Sequence, residues 1–153
     1  MPWNPEKYHL FQKERSAPFN DLIQLIQIRD SIQVLDLGCG TGELTVKLAD
    51  LLPNSTVLGV DSSLEMLQKA EELNHPRVRF EQKLIEKVEG QWDLVFSNAA
   101  IHWVLDHGCL IPQLVHLVSK GGQLVIQMPS NHDHLAHQLL TKTALSSPFT
   151  EAL

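Results

Sequence analysis

The sequence predicts an α/β fold in which a mostly parallel sheet of about five strands carries helices on both faces. Short apolar runs rich in branched residues alternate with segments whose apolar residues recur at helical spacing. Since parallel strands need crossover connections, this alternation is typical of a sheet that is covered on both sides. The first run also leads directly into a glycine-rich turn, as in doubly wound, Rossmann-like folds.

Length and charge limit the possible classes of protein. The 153 residues are enough for one compact domain, and Lys and Arg are scattered in a chain of net charge −6, which argues against nucleic acid as a partner. Cys39 and Cys109 have no CxxC spacing, and the N-terminal residues do not resemble a signal peptide. No run approaches the ~20 apolar residues of a membrane span. We expect a cytoplasmic protein that does not contact membranes.

The single domain is predicted to have three parts. Residues 1–32 form a helical cap of two short helices, with Pro18 interrupting and Asn20 capping the second. Residues 33–128 form the α/β core, and residues 129–153 form a loop and a final helix. The predicted strands are 33–37, 56–60, 77–81, 92–97 and 123–128, and the predicted helices of the core and C-terminal part are 43–52, 64–73, 107–119 and 134–145.

Several residues are predicted to set the limits of these elements. Pro53 and Asn54 stop the first core helix, and Ser62 or Ser63 caps the next one. Pro112 lies in the first turn of the following helix or breaks it. The Gly121-Gly122 pair is predicted to be the turn that precedes the last strand.

The glycine-rich turn after the first strand is the feature most indicative of function. It places Gly38, Gly40 and Gly42 at alternate positions and Glu43 where a dinucleotide fingerprint has its last glycine. The Gly-Lys-Ser/Thr ending of a P-loop is also missing. Alternate glycines still allow a ligand to approach the backbone, and the N-terminus of the following helix favours a carboxylate.

An acid and a thioether downstream narrow the choice of ligand. Asp61 lies at the end of the second strand, where a carboxylate can accept from the two hydroxyls of a ribose. Met66, one helical turn into the next element, can pack against a base ring. A ribose together with an amino-acid-like end indicates S-adenosyl-L-methionine as the cofactor.

The chain resembles the class I S-adenosylmethionine-dependent methyltransferases in three stretches that occur in the same order: Asp36-Leu-Gly38-Cys-Gly40-Thr-Gly42, Asp61-Ser-Ser-x-Glu-Met66 and Gly121-Gly122. It is similar to trans-aconitate methyltransferases in four further stretches: Trp3-Asn4-Pro5-x-x-Tyr8-x-x-Phe11, Glu14-Arg15-x-x-Pro18, Phe96-Ser97-Asn98-Ala99-Ala100-x-x-Trp103-Val104-x-Asp106-His107 and Gln127-x-Pro129-x-Asn131. This resemblance covers nearly the whole chain.

The resemblance assigns roles to particular residues. It gives the three glycines to the methionine moiety, Asp61 to the ribose and Met66 to the adenine, with Ser97 and Asn98 facing the methyl donor. Cys39 and Ser62 complete the predicted cofactor-binding set. The chain departs from the family after Phe80, where Gln82-Lys83-Leu84 replaces the usual acid that meets the adenine amino group. A backbone carbonyl is one alternative for that role.

The resemblance implies a methyl transfer for which we predict no acid-base residue and no metal. An acceptor carboxylate with a pKa of ~4 is already ionised at neutral pH. The candidate contacts for a small acid such as trans-aconitate are Arg15, His102, Asn131 and His132. Arg15 can equally lie on a solvated helix face. Trp103 either lines the acceptor pocket or simply packs.

Other polar residues are given structural interpretations. Asp36 is expected to hydrogen-bond the glycine turn and not to catalyse, and Cys39 is expected to be a small filler and not a nucleophile. His132-Asp133-His134 and His137 have a metal-like composition but no closed ligand set, so surface histidines are favoured.

The resemblance also implies a seven-stranded sheet, of which this sequence lacks the last two strands. Three hypotheses therefore stay open. The first is a carboxyl methyltransferase acting on a small acid. The second is a truncated module that binds the cofactor weakly or self-associates through an uncovered sheet edge. The third is an O-methyltransferase for another acceptor, such as an acyl-carrier-linked acid.

Overall fold

The computed structural model describes residues 12–130, 134–146 and 150, and these form a five-stranded parallel sheet with helices on both faces. The strands are β1 (Gln33–Leu37), β2 (Thr56–Asp61), β3 (Val78–Gln82), β4 (Trp92–Asn98) and β5 (Val118–Gln127). The α-helices are α1 (Gln12–Ile23), α2 (Glu43–Leu51), α3 (Leu64–Glu71), α4 (His107–His116) and α5 (Leu135–Ala144). Short 3₁₀-helices span Ile85–Lys87 and Ile101–Trp103. The predicted fold class is confirmed.

The strands lie in the order β3-β2-β1-β4-β5. Strands β2 and β3 are therefore added on one side of β1, and β4 and β5 on its other side. The register places Asp36 of β1 between Gly59 of β2 and Phe96 of β4. In doubly wound sheets, the helices that follow two such strands leave the sheet on opposite faces, so a crevice opens at the carboxyl ends. The glycine turn follows β1 directly into this crevice.

Alternating residues of the central strands supply two apolar clusters, one on each face. Val34 joins α1 and α2 in the first cluster, whereas Leu35 and Leu37 join α4 in the second. All three residues are fully buried. This two-residue period fixes the register of β1, since a slip of one residue would exchange the two faces.

Helix α1 runs through Pro18, where the sequence predicts an interruption. Pro18 lies inside α1, where the loss of a backbone hydrogen bond costs about 3 kcal/mol. Phe19 and Leu22 are 2% and 3% exposed, and burying each stabilises the fold by about 1.5–3 kcal/mol. Burial against the sheet therefore outweighs the cost of proline, and Asn20 is not an N-cap. The predicted helix around Tyr8 and Phe11 begins outside the described residues.

The limits of β5 also differ from the prediction. Helix α4 ends at His116, not Ser119, and β5 passes through Gly121-Gly122 without a chain-reversing turn. The register with β4 shifts at this point: Trp92 pairs with Val118 and Leu94 with Gln123, so the two glycines lie in an irregular stretch of β5. Gly121 adopts φ +77°, which suits such an irregularity.

Pro112 is the sixth residue of α4, so it lies neither in the first turn nor at a break. Leu110 and Leu114 on either side are 2% and 1% exposed. Their packing on the sheet holds the helix together across the proline, as in α1. No helix in the described part of the chain combines the length and apolar character needed to cross a membrane.

Candidate functional site

The glycine turn is fastened to the neighbouring strand β2 by backbone hydrogen bonds. The N–H groups of Gly38 and Cys39 donate to the carbonyl oxygen of Val60, at 2.8 and 3.0 Å. The N–H of Gly42 donates to the carbonyl oxygen of Cys39 at 3.0 Å, which closes the turn. The turn is therefore held in one conformation by the end of β2.

Two of the glycines differ in what surrounds them. A Cβ added at Gly38, which adopts φ +75°, would lie 2.2 Å from the Cβ of Ala100 in the loop after β4. At Gly40, with φ +55°, nothing lies within 4 Å of the same position. Gly38 is thus required by packing and backbone conformation, while Gly40 opens onto free space in the crevice.

Helix α2 begins directly after the turn without a side-chain cap. Its N-cap, Gly42, has left-handed backbone angles and offers no side-chain hydrogen bond to the first amides. The first amides of a helix lack intrahelical partners and carry partial positive charge. This end of α2 can therefore receive an anionic group.

Asp61, at the carboxyl end of β2, accepts two backbone hydrogen bonds. Its Oδ2 accepts from the N–H of Gly40 and its Oδ1 from the N–H of Ser63, both at 2.9 Å. The sequence suggested a ligand contact for Asp61 and missed this anchoring role. A carboxylate has about four acceptor sites, so capacity remains for further donors.

The loop after Asp61 leads into α3 as predicted. Ser63 is the N-cap, and its Oγ accepts from the N–H of Met66 at 3.3 Å. Met66 is half-buried in the first turn, and Ser62 is exposed. The Gln82 side chain donates to the carbonyl oxygen of Ser62 at 3.0 Å, so an amide bridges the end of β3 and this loop.

Asp36 is buried at the end of β1, and Cys39 lies in the glycine turn and is half-buried. The Asp36 carboxylate accepts from Thr45 Oγ1 at 2.6 Å, so its partner lies in the first turns of α2 and not in the glycine turn itself. Burial raises the pKa of Asp36 to about 6. Burial, together with the charges of Asp36 and Asp61, also raises the pKa of the Cys39 thiol. Cys39 therefore stays protonated and is a poor nucleophile.

The two predicted residues at the end of β4 have different surroundings. Ser97 is fully buried, and its Oγ donates to the carbonyl oxygen of Leu37 at 3.1 Å, which ties β4 to β1. Asn98 is half-buried and lies in register with Gln127 of β5. The side-chain oxygens of Asn98 and Gln127 are buried without a hydrogen-bond partner among the described residues.

The predicted acceptor contacts are only partly described. His102 is exposed, and its ring lies 4.9 Å from that of Trp103, centroid to centroid, at 41°. Trp103 is 82% exposed, so its indole is not packed in the core, and its place in an acceptor pocket stays a prediction. The backbone of Arg15 lies in α1, but its side chain is outside the described part, and Asn131 and His132 lie outside the described residues.

The sequence predicts that the histidines near α5 are surface residues. His134 and His137 are exposed, with ring centroids 6.1 Å apart. Among residues 12–130 and 134–146, no three His, Cys, Asp or Glu side chains are arranged to hold a metal ion. His132 and Asp133 are outside the described residues.

Comparison with known proteins gives consistent matches. A family profile described as "Methyltransferase domain" matches residues 28–149. The trans-aconitate 2-methyltransferase of Deinococcus radiodurans is 51% identical over 144 residues, which cover 94% of this chain and 56% of that protein. The enzyme of the same name from Variovorax paradoxus is 38% identical over 156 residues, covering 100% of this chain and 60% of that protein. The chain thus spans somewhat more than half the length of these relatives.

Solved structures show the same similarity. An S-adenosylmethionine-dependent methyltransferase from Mesorhizobium loti superposes with a TM-score of 0.65 and 26% identity, covering 72% of this chain and 53% of that chain. The DhpI-SAM-HEP complex gives a TM-score of 0.68 at 24% identity and covers 90% of this chain and 63% of that one. At that identity, the second match supports the fold alone.

Proposed function

The chain belongs to the methyltransferase-domain family, and from that premise we propose that it transfers the methyl group of S-adenosylmethionine to a carboxylate of a small acid such as trans-aconitate. One observation carries the proposal. The open position at Gly40 lies between the uncapped N-terminus of α2 and the Asp61 carboxylate. A small acid as acceptor is supported by the name of the curated relatives.

These groups suit the parts of S-adenosylmethionine. The first amides of α2 would donate to its carboxylate, and Gly40, whose own N–H is engaged by Asp61, would allow it to approach closely. The two ribose hydroxyls would donate to Asp61, which retains acceptor capacity. Met66 would pack against the adenine ring. Cys39, Ser62 and Asn98 complete the proposed lining, whereas Ser97 supports it from below through its bond to Leu37.

When bound, S-adenosylmethionine supplies an electrophilic methyl group on a positively charged sulfur. An acceptor carboxylate is ionised at neutral pH, because its pKa is ~4, and therefore needs no protein base. The task left to the chain is to position the acceptor oxygen and to exclude water. Cys39 does not compete as a nucleophile, since burial raises the pKa of its thiol.

Calorimetric titration with S-adenosylmethionine tests the common premise. We expect saturable binding to the full chain, and no binding would overturn the proposal. A methyl-transfer screen then offers trans-aconitate, a monocarboxylate and an acyl-carrier-linked acid. Transfer to trans-aconitate supports the proposal, and transfer only to the acyl-carrier-linked acid would replace it. Binding without turnover would support a cofactor-binding module instead of an enzyme.

The Asp61→Ala substitution tests the residue assignment. We expect the affinity for S-adenosylmethionine to fall at least about tenfold, because two ribose hydroxyls and the Gly40 amide lose an acceptor. Affinity is measured by calorimetry and stability by urea unfolding.

Asp93→Ala is the matched control for this substitution. Asp93 Oδ2 accepts from the N–H of Gln33 at 2.9 Å, at the amino ends of β1 and β4 and so at the opposite end of the strands from Asp61. The Asp93→Ala variant should lose a comparable hydrogen bond to a backbone amide without changing the affinity for S-adenosylmethionine. Equal affinity losses in the two variants would remove Asp61 from the ribose site.

A further inference from the structure

Two side-chain amides lie next to each other where β4 and β5 end. Asn98 is the last residue of β4, Gln127 is the last residue of β5, and the two are partners in the parallel register. Neighbouring strands lie about 4.8 Å apart, so both side chains can reach the same ligand group. Their side-chain oxygens are buried, and neither has a hydrogen-bond partner within the described part of the chain. Since buried oxygens are normally hydrogen-bonded, this pair calls for a donor.

Both amides lie on the face of the sheet that α2 covers. Phe96 and Val125, two residues before Asn98 and Gln127, belong to the apolar cluster that also contains residues of α1 and α2. Because side chains alternate along a strand, residues two apart share a face. The amide pair therefore lies on the same face of the sheet as α2, and at the carboxyl edge where the uncapped N-terminus of that helix begins.

The loop after β4 fixes the position of the pair. The N–H of Ala99 donates to the carbonyl oxygen of Gln127 at 2.9 Å, so the two strand ends stay joined one residue beyond Asn98. Ala99 adopts φ +52°, a left-handed conformation that is uncommon for alanine. Ala100 then packs over Gly38 of the glycine turn. Backbone strain of this kind persists only where the surrounding structure imposes it, and it is concentrated at functional sites.

The strand order places the amide pair away from the ribose side of the proposed cofactor site. Asp61 ends β2 on one side of β1, whereas Asn98 and Gln127 end β4 and β5 on its other side. With the ribose at Asp61 and the carboxylate at the N-terminus of α2, the amino-acid end of S-adenosylmethionine would extend over β1 towards β4. Its ammonium group is the donor that the proposed contacts leave without a partner.

We propose that Gln127, together with Asn98, binds the α-ammonium group of S-adenosylmethionine. An ammonium group carries three N–H donors and a positive charge, and amide oxygens are acceptors that suit both. A carboxylate in the same place would meet two acceptor oxygens, so the pair distinguishes the amino group of the ligand from its acid group. The inference rests on the cofactor of the proposed function. It adds a residue from β5, a strand in which the sequence predicted no cofactor contact.

Calorimetric titration of the full chain carrying Gln127→Leu tests the assignment. The probes are S-adenosylmethionine, S-adenosylhomocysteine, which keeps the ammonium group on a neutral sulfur compound, and 5′-methylthioadenosine, which lacks the amino-acid end. We expect the variant to bind the first two at least about tenfold more weakly and the third unchanged, because only the first two carry the ammonium group. A loss confined to S-adenosylmethionine would assign the pair to the sulfonium and overturn the inference. An equal loss for all three probes would also overturn it.

Two further variants separate recognition from structural support. Gln127→Glu keeps an acceptor oxygen and should restore the affinity for S-adenosylmethionine that Gln127→Leu loses. Gln123, earlier in β5, accepts from the N–H of Gln27 at 2.8 Å and donates to its carbonyl oxygen at 3.0 Å. Gln123→Leu should therefore lower stability in urea without changing the affinity. Equal affinity losses in Gln127→Leu and Gln123→Leu, or no recovery in Gln127→Glu, would overturn the inference.

The outcomes for the inference and for the proposed function are distinguishable. Loss of cofactor affinity in Gln127→Leu, without methyl transfer to any acid by the unmodified chain, would support the inference and overturn the proposed function. Transfer to trans-aconitate by the unmodified chain, with unchanged cofactor affinity in Gln127→Leu, would overturn only the inference. No binding of S-adenosylmethionine by the unmodified chain would overturn both.

Discussion

The glycine turn and the cleft that His102 and Lys142 line beside α5 are built in opposite ways. The turn is fixed by backbone hydrogen bonds to Val60 and by the Asp61 carboxylate, over fully buried residues of β1. Beside the cleft, Trp103 is 82% exposed, and α5 contains no buried residue. One region presents backbone groups from a rigid support, and the other presents side chains from the surface.

Sites that are built in these two ways depend on different features of the sequence. A site made of backbone amides needs only glycines and one acid from the sequence, and its geometry is set by the sheet. A site made of exposed side chains can change its charge and shape without disturbing the core, because surface substitutions away from specific contacts cost little. The proposed cofactor site is of the first kind.

Of these variants, Gly38→Ala should have the largest effect on stability, because it changes the rigid glycine turn. We expect a loss of about 2–5 kcal/mol in the free energy of unfolding, because alanine adds backbone strain at φ +75° and overlaps Ala100. Urea unfolding measures the loss.

Gly40→Ala is the matched control, since it has φ +55° but free space around the added Cβ. It should cost only about 1 kcal/mol of strain while weakening S-adenosylmethionine binding. If the two variants lose the same stability, packing against Ala100 does not fix the turn.

Asp36→Asn should have an intermediate effect that depends on pH. The pKa of Asp36 rises from 3.8 to about 6 in the fold, so the folded state binds the proton more tightly than the unfolded state. The contribution of Asp36 to stability is therefore greatest below pH 3.8, falls as pH rises towards 6, and is constant above. The full difference corresponds to about 3 kcal/mol.

Because Asn stays neutral and its oxygen can still accept from Thr45, the variant should be more stable than the unmodified chain at pH 7.5, by up to about 3 kcal/mol. At pH 4 the advantage should nearly vanish. Urea unfolding at the two pH values measures this, and Asp21→Asn, at an exposed residue of α1, is the matched control. A difference that is the same at both pH values would contradict the assignment.

Trp103→Ser should have the smallest effect on stability, and it tests the exposed surface beside the cleft. Since the indole is 82% exposed, we expect the free energy of unfolding to change by less than about 0.5 kcal/mol. Leu105→Ser, at 89% exposure, is the matched variant and should behave alike. A loss above about 1 kcal/mol for Trp103 alone would show that it packs, and would make the two regions less different than the structure indicates.

Local pattern was sufficient to predict much of this protein. Branched apolar residues, alternate glycines and Pro53 each act over a few residues, so β1, the turn and the end of α2 are visible in sequence. The Ser63 cap of α3 was one of two predicted candidates for the same reason. The cofactor was predicted because turn and acid are read directly from residue type and spacing.

Tertiary packing decided where local signals misled. Pro18 would end a helix by itself, but Phe19 packs edge-on against Phe96, with ring centroids 5.7 Å apart, and helps to hold α1 together. Likewise, Gly121-Gly122 lies within β5, in the irregular stretch where its register with β4 shifts, although glycine pairs favour turns.

The sequence by itself determined the order of the elements, the glycine turn and the acid after β2, because these depend on neighbouring residues. Only the tertiary structure decided that Asp61 anchors Gly40, that Ala100 closes over Gly38, and that the basic residues of the cleft meet. His102 and Lys142 are 40 residues apart in the numbering and share no local pattern. Their proximity depends on parallel strands that deliver distant loops to the same edge of the sheet.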